Sequence, residues 1–169
     1  MKHFLYYWKA QEIEGNRKFP NEPLEHVGSN QLERADVGDE IFFIGWENGS
    51  MLLLGKLIIG QIVGLEEARE LMENENLIDT DLHAISPPPR EDETYEVYLP
   101  CLIPVGDLWR ELDIINGTKE VEQIGLPIHP NRFQTMRQLT PDSAERLSEY
   151  YHSEFDGPND LLERDDEEE

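Results

Sequence analysis

Asn48-Gly49, set between the apolar runs Ile41–Trp46 and Met51–Val63, is the feature that most constrains this chain. Asn-Gly readily supplies the two positive φ angles of a type I′ turn, whose twist matches that of the strands it joins. The sequence therefore predicts an antiparallel hairpin here. Gly55, Gly60 and Gly64 interrupt the second run, the pattern of bulges and bends that lets a small sheet curl.

The aromatic stretch Lys2–Trp8 reads as a first strand, followed by a polar loop over residues 9–23 that carries Lys9, Arg17 and Lys18. Ser29 is placed to cap a short helix, with Leu32 and Ala35 facing inward and a Gly38-Asp39 turn after it. Leu65–Asn76 has helical spacing of Ala68, Leu71 and Met72, and Leu82–Ile85 reads as a short strand. Pro87-Pro88-Pro89 can neither donate to a ladder nor continue a helix, so it reads with Arg90–Glu93 as a loop.

Tyr95, Val97 and Leu99 alternate along Thr94–Ile103, a strand limited by Pro100, and Leu108–Ile114 reads as a helical turn. Thr140-Pro141-Asp142 combines an N-cap, a proline at the first helical position and an acid at the positive end of the dipole. It starts a helix that is expected to run to about Phe155 with Ala144, Leu147 and Tyr151 on one face. The fold class expected is α+β: a small mixed or antiparallel barrel flanked by short helices, over residues 1–155. Residues 156–169 read as an acidic, disordered tail.

Charge narrows the function. The net charge is −23; the last fourteen residues hold eight acids and one Arg, so −7 lies in the tail and −16 on the body. Such a body fits a high-salt cytoplasm or a partner with a basic surface. It argues against strong non-specific binding to phosphate backbone, which depends on Lys and Arg. Any contact with nucleic acid must be local and pocket-based.

The 169 residues include no apolar run long enough for a membrane span, and the N-terminal stretch lacks a secretory h-region, so a cytoplasmic location is expected. Cys101 has no partner for an intrachain disulfide and lies in an apolar run, where a buried thiol is expected. Neither a metal nor a cofactor is expected. Glu149-x-x-His152 lacks companions, because His3, His26, His83 and His129 form no recognisable motif with it. Nucleophile-elbow, HExxH, Walker and dinucleotide-binding patterns do not occur either.

The order of Tyr7-Trp8, Gly28-Ser29-Asn30-Gln31 and Gly38-Asp39-Glu40-Ile41-Phe42-Phe43 resembles the EVE members of the PUA-like superfamily. Arg137-Gln138-Leu139-Thr140-Pro141 resembles their later helix start. The resemblance implies a PUA-like β-barrel that binds a base flipped out of nucleic acid. It implies a modified cytosine in DNA as the ligand, within a modification-dependent restriction system or a related one. A separate nuclease or GTPase effector would then perform any cleavage.

A base pocket needs an aromatic face for stacking and fixed amide or hydroxyl groups for the base edge. Trp8 and Trp46 are the aromatic candidates, each with core or cross-strand packing as its alternative role. Ser29, Asn30 and Gln31 are the polar candidates, although Gln31 departs from the aromatic usual in the family. Asp39 reads first as a turn-stabilising residue. Lys9, Arg17 and Lys18 could meet flanking phosphates.

Two other functions stay open at this level. One is a small amidohydrolase acting on modified nucleosides, similar to the ASCH branch of the superfamily, with Lys9, Glu40 or Lys56 as the groups nearest to hand. The other is an acidic protein-interaction module.

Overall fold

The computed structural model describes residues 1–8, 22–23, 26–47, 50–72, 80–85, 98–99, 103–115, 121–124 and 136–154. In chain order the strands are β1 (His3–Tyr7), β2 (Glu22–Pro23), β3 (His26–Gly28), β4 (Glu40–Glu47), β5 (Ser50–Ile58), β6 (Gln61–Val63) and β7 (His83–Ile85). They continue as β8 (Tyr98–Leu99), β9 (Ile103–Pro104), β10 (Asp113–Ile115), β11 (Val121–Gln123) and β12 (Arg137–Leu139). Among the described residues two α-helices, α1 (Leu65–Leu71) and α2 (Pro141–Glu154), and two 3-10 turns, Asn30–Arg34 and Gly106–Glu111, accompany the strands.

The fold is mixed α+β. Its main sheet has seven strands in the order β11-β10-β12-β1-β4-β5-β9, with β1 parallel to β4 and the other neighbours antiparallel. A three-stranded sheet, β3-β7-β6, and a two-stranded ladder, β2-β8, accompany it. Among the described residues the main sheet ends on β11 and β9 with no pairing between them, so no closed barrel is formed.

The hairpin expected around Asn48-Gly49 is present as the ladder from Glu40↔Ile58 to Glu47↔Ser50, although the turn residues themselves lie outside the described set. Phe43 pairs with Gly55 and Ile44 with Leu53, so Leu54 is an extra residue beside the glycine expected to mark a bulge. The single long strand expected over Met51–Val63 is divided. The chain leaves the main sheet after Ile58 and joins the three-stranded sheet at Gln61. Gly38 makes this corner possible: its φ of 94° suits a residue without Cβ, and its N–H donates to the Ile59 carbonyl at 2.8 Å.

Side chains alternate across the main sheet into two cores. On one face Leu5, Phe42, Ile44, Met51 and Leu53 meet Ala144, Leu147 and Tyr151, the α2 stripe expected from the sequence. Thr140 caps α2, its Oγ1 accepting from Ser143 N at 3.3 Å. On the other face Phe4, Ile41, Phe43, Leu52 and Leu54 meet Trp8, Val27, Leu32, Ala35 and Ala84. This second core joins the three-stranded sheet and the first 3-10 turn to the main sheet.

Other expectations resolve less simply. The helix expected over Leu65–Asn76 is seen from Leu65 to Leu71, with Ala68 buried and Leu71 exposed. The helical turn expected over Leu108–Ile114 is a 3-10 turn that gives way to β10. Cys101, His129, Pro87–Glu93 and residues 156–169 lie outside the described set. Among the described residues no helix is long and apolar enough to cross a membrane.

Candidate functional site

Ser29, Asn30 and Gln31 open the first 3-10 turn, and each of their side chains ties down backbone. Ser29 caps it with extended backbone (φ −167°, ψ 137°), and its Oγ accepts from Gln31 N at 3.2 Å. Asn30 is exposed, and its Oδ1 accepts from Asp81 N at 2.9 Å. Gln31 Oε1 accepts from Met136 N, while the Arg34 guanidinium donates to the Met136 carbonyl. Leu32, only 1% exposed, anchors the turn in the core below. The Ser29, Asn30 and Gln31 side chains each accept a backbone N–H, which restricts their freedom.

The same seam brings together two histidines that the sequence does not link. β3 pairs antiparallel with β7, Gly28 facing His83, and Ser29 N donates to the Leu82 carbonyl at 3.0 Å just beyond. A Cβ on Gly28 would lie 2.8 Å from both His83 Cε1 and Thr80 Oγ1, so only glycine leaves room for this imidazole. His83 is fully buried. Its Nε2 lies 2.9 Å from the Thr80 carbonyl and its Nδ1 lies 2.6 Å from His26 Nε2, with the two rings only 15° from parallel.

A carbonyl can only accept, so His83 Nε2 carries its proton. With both rings neutral, His83 Nδ1 then accepts from His26 Nε2–H, and the lone pair of the relay is left on His26 Nδ1. Burial, with repulsion from His83 second, lowers the His26 pKa to about 4.

That shift has a stability consequence. Unfolded His26 takes up a proton near its ordinary pKa of about 6.5, while the folded ring resists until about 4. The unfolded chain therefore binds more protons in this window. The stability that His26 contributes is complete above pH 6.5 and is lost as pH falls toward 4. Because the ring is only half-buried, solvent screening reduces the effect to on the order of 2 kcal/mol. Urea unfolding at pH 7 and pH 4 should show wild type losing that much more than His26→Asn. Equal losses would rule the effect out.

The aromatic candidates separate. Trp8 is 7% exposed and packs against Phe43, with ring centroids 5.1 Å apart and planes at 56°. It belongs to the core beneath the 3-10 turn. Trp46 is half-buried on the other face of the sheet, where its ring meets the edge of Trp109 at 5.2 Å and 72°. The two indoles thus pack on opposite faces and do not form one cage.

Asp39 is 3% exposed and holds its own turn, accepting from Lys2 N and Asp36 N at 2.8 Å each. Lys9, Arg17 and Lys18 lie outside the described residues.

A second polar cluster lies under α2. Glu40 accepts from His3 Nδ1 at 2.9 Å and pairs with Lys56 Nζ at 3.2 Å; Lys56 also reaches Ser148 Oγ at 3.5 Å. Among the described residues no three His, Cys, Asp or Glu side chains converge as metal ligands.

Comparison with family models, curated proteins and solved structures returns no match. His26 and His83 are the members that sequence reasoning missed. The available signal was His26-x-Gly28 followed by a buried-type strand containing His83, which a β-period places on one sheet face once β3 and β7 are paired.

Proposed function

We propose that this protein is a nucleic-acid-binding module that takes up a single extruded nucleobase, a modified cytosine by resemblance, at the Ser29–Gln31 turn and the His26–His83 seam. The observation that carries the reading is Asn30. Its Oδ1 is committed to Asp81 N, so the amide is held in one orientation with its Nδ2 hydrogens left to donate. Such a fixed donor at an exposed position suits the carbonyl or ring nitrogen of a base edge.

The strong acidity of the chain supports a local contact rather than one along the backbone. In this reading Trp8 and Leu32 hold the turn from below, and the PUA-like barrel is part of the proposal. The parallel β1–β4 pair, bridged by the segment that carries the turn, is the feature in its favour. A separate nuclease or GTPase would act on the marked nucleic acid.

Short oligonucleotides carrying modified or plain cytosine, titrated in high salt, test this proposal. A preference of about tenfold or more for the modified base is expected, and Asn30→Ala should remove most of it. Equal, weak binding to every oligonucleotide would overturn the proposal.

One observation favours a second reading. Glu40 and Lys56, named above as groups that could serve an amidohydrolase, meet with His3 as neighbour. Both side chains are nearly buried, at 8% and 10% exposure, which suits a structural pair better than one open to substrate. Incubation with acylated nucleosides and chromatography of the products decides it: turnover abolished by Glu40→Gln would establish the enzyme, and no turnover removes it.

A further inference from the structure

His26 pairs with Ile85 and Gly28 with His83 across the β3–β7 ladder, so both imidazoles stand on the face of the three-stranded sheet that meets Ala68 of α1. Val27 and Ala84 point the other way, into the core shared with the main sheet. Among the described residues β3 pairs with β7 alone, over three residues, whereas β7 also pairs with β6. β3 can therefore leave while β7 stays on β6.

The closed histidine pair has room for one proton beyond its neutral form. His83 Nε2–H is committed to the Thr80 carbonyl, and the facing nitrogens, His83 Nδ1 and His26 Nε2, share one proton across 2.6 Å. A second proton between them would set two donors against each other, so only His26 Nδ1 is left to be protonated. With the seam open, each solvated ring takes up a proton of its own. Opening binds protons, and acid favours it.

The seam also fastens one side of the first 3-10 turn. Ser29 N donates to the Leu82 carbonyl, and Asn30 Oδ1 accepts from Asp81 N. On the other side Gln31 and Arg34 are tied to Met136, and Leu32 is buried, so that half of the turn is held independently of β7.

We propose that the His26–His83 pair is an acid-opened latch: on protonation β3 parts from β7 and frees Ser29 and Asn30 from the loop before β7, with the main sheet intact. The latch does not depend on what the turn binds. Among the described residues the charged groups of the elements packed on the histidine face are Asp81 before β7 and Glu66, Glu67, Arg69 and Glu70 on α1, all exposed or half-buried. Burial first and His83 second, rather than any of these charges, hold the His26 pKa down at about 4, while the open form accepts its proton near the ordinary value of about 6.5. The latch is shut above pH 6.5 and is released progressively as pH falls toward 4.

Amide hydrogen exchange, followed residue by residue by NMR at pH 7 and pH 4, tests the latch in the intact chain. In acid the protection of Ser29 N–H and Asp81 N–H should fall by about thirtyfold, allowing for solvent screening of the half-buried ring. At pH 4 low urea should leave their exchange almost unchanged, the mark of a local opening, but should speed that of Trp8 N–H, which is bonded to Ile44 within the main sheet. In His26→Gln, whose amide can still donate to His83, the acid loss at the seam should shrink to less than about tenfold.

Unchanged protection of the seam in wild type, seam amides that share the urea dependence of Trp8, or an equal acid loss in His26→Gln would each overturn the proposal. The first two are read on wild type alone, so a variant that fails to fold leaves the test standing. Failure of the protein to bind any base would leave the latch untouched.

Discussion

Lys56→Met should lower the free energy of unfolding by about 3 kcal/mol, measured by urea denaturation at pH 7. Lys56 on β5 and Glu40 on β4 lie on the face of the main sheet that α2 covers, and Lys56 reaches Ser148 on that helix. Methionine fills most of the volume of the lysine stem, so little of the loss comes from packing. What remains is the Glu40 carboxylate, 8% exposed and deprived of its cation.

Leaving one partner of a buried pair uncompensated is what makes such changes severe, whereas replacing both is far milder. Glu40→Gln with Lys56→Met should therefore cost less than the sum of the two single changes, by at least about 1 kcal/mol. Strict additivity would mean that water, not Lys56, neutralises Glu40.

The contrast between what the chain discloses and what it hides follows the range of the interactions. Asn48-Gly49 with its flanking apolar runs, and Thr140-Pro141-Asp142 with the Ala144, Leu147 and Tyr151 stripe, are local signals, and the structure has the corresponding hairpin ladder and helix. Ser29 acts as the cap it was expected to be, though the turn it starts is 3-10 rather than α.

Short strands were harder to see. Asp113–Ile115 and Arg137–Leu139 are three residues each, too short to show a period, and they exist as strands because β12 bridges β1 and β10. The site depends still more on distance along the chain. His26 and His83 are 57 positions apart, and only the pairing of β3 with β7 makes a relay of two residues that look isolated. Trp8 and Trp46 show the reverse, since residue type proposed a shared role that strand alternation divides between two faces.

Trp8→Ala should cost about 3 to 5 kcal/mol of stability, the range for removing a large buried aromatic side chain from a packed core. Trp8 follows the last residue of β1, where its backbone N–H donates to the Ile44 carbonyl at 2.9 Å, and its indole packs on Phe43. Its core also contains Leu32 of the 3-10 turn and Val27 and Ala84 of the three-stranded sheet. Truncation therefore opens a cavity where three elements meet.

The effect on binding separates a support from a stacking platform. If Trp8 stabilises the turn from below, a folded fraction of Trp8→Ala, or Trp8→Phe with most of the volume restored, should keep its preference between bases while the urea midpoint falls. If the indole stacks on the base, Trp8→Phe should keep the midpoint near wild type and lose affinity for every oligonucleotide, because stacking contributes about 1 to 3 kcal/mol per base. An exposure of 7% leaves almost no indole surface for a ligand without displacing Phe43 or its neighbours, so the first outcome is the one expected.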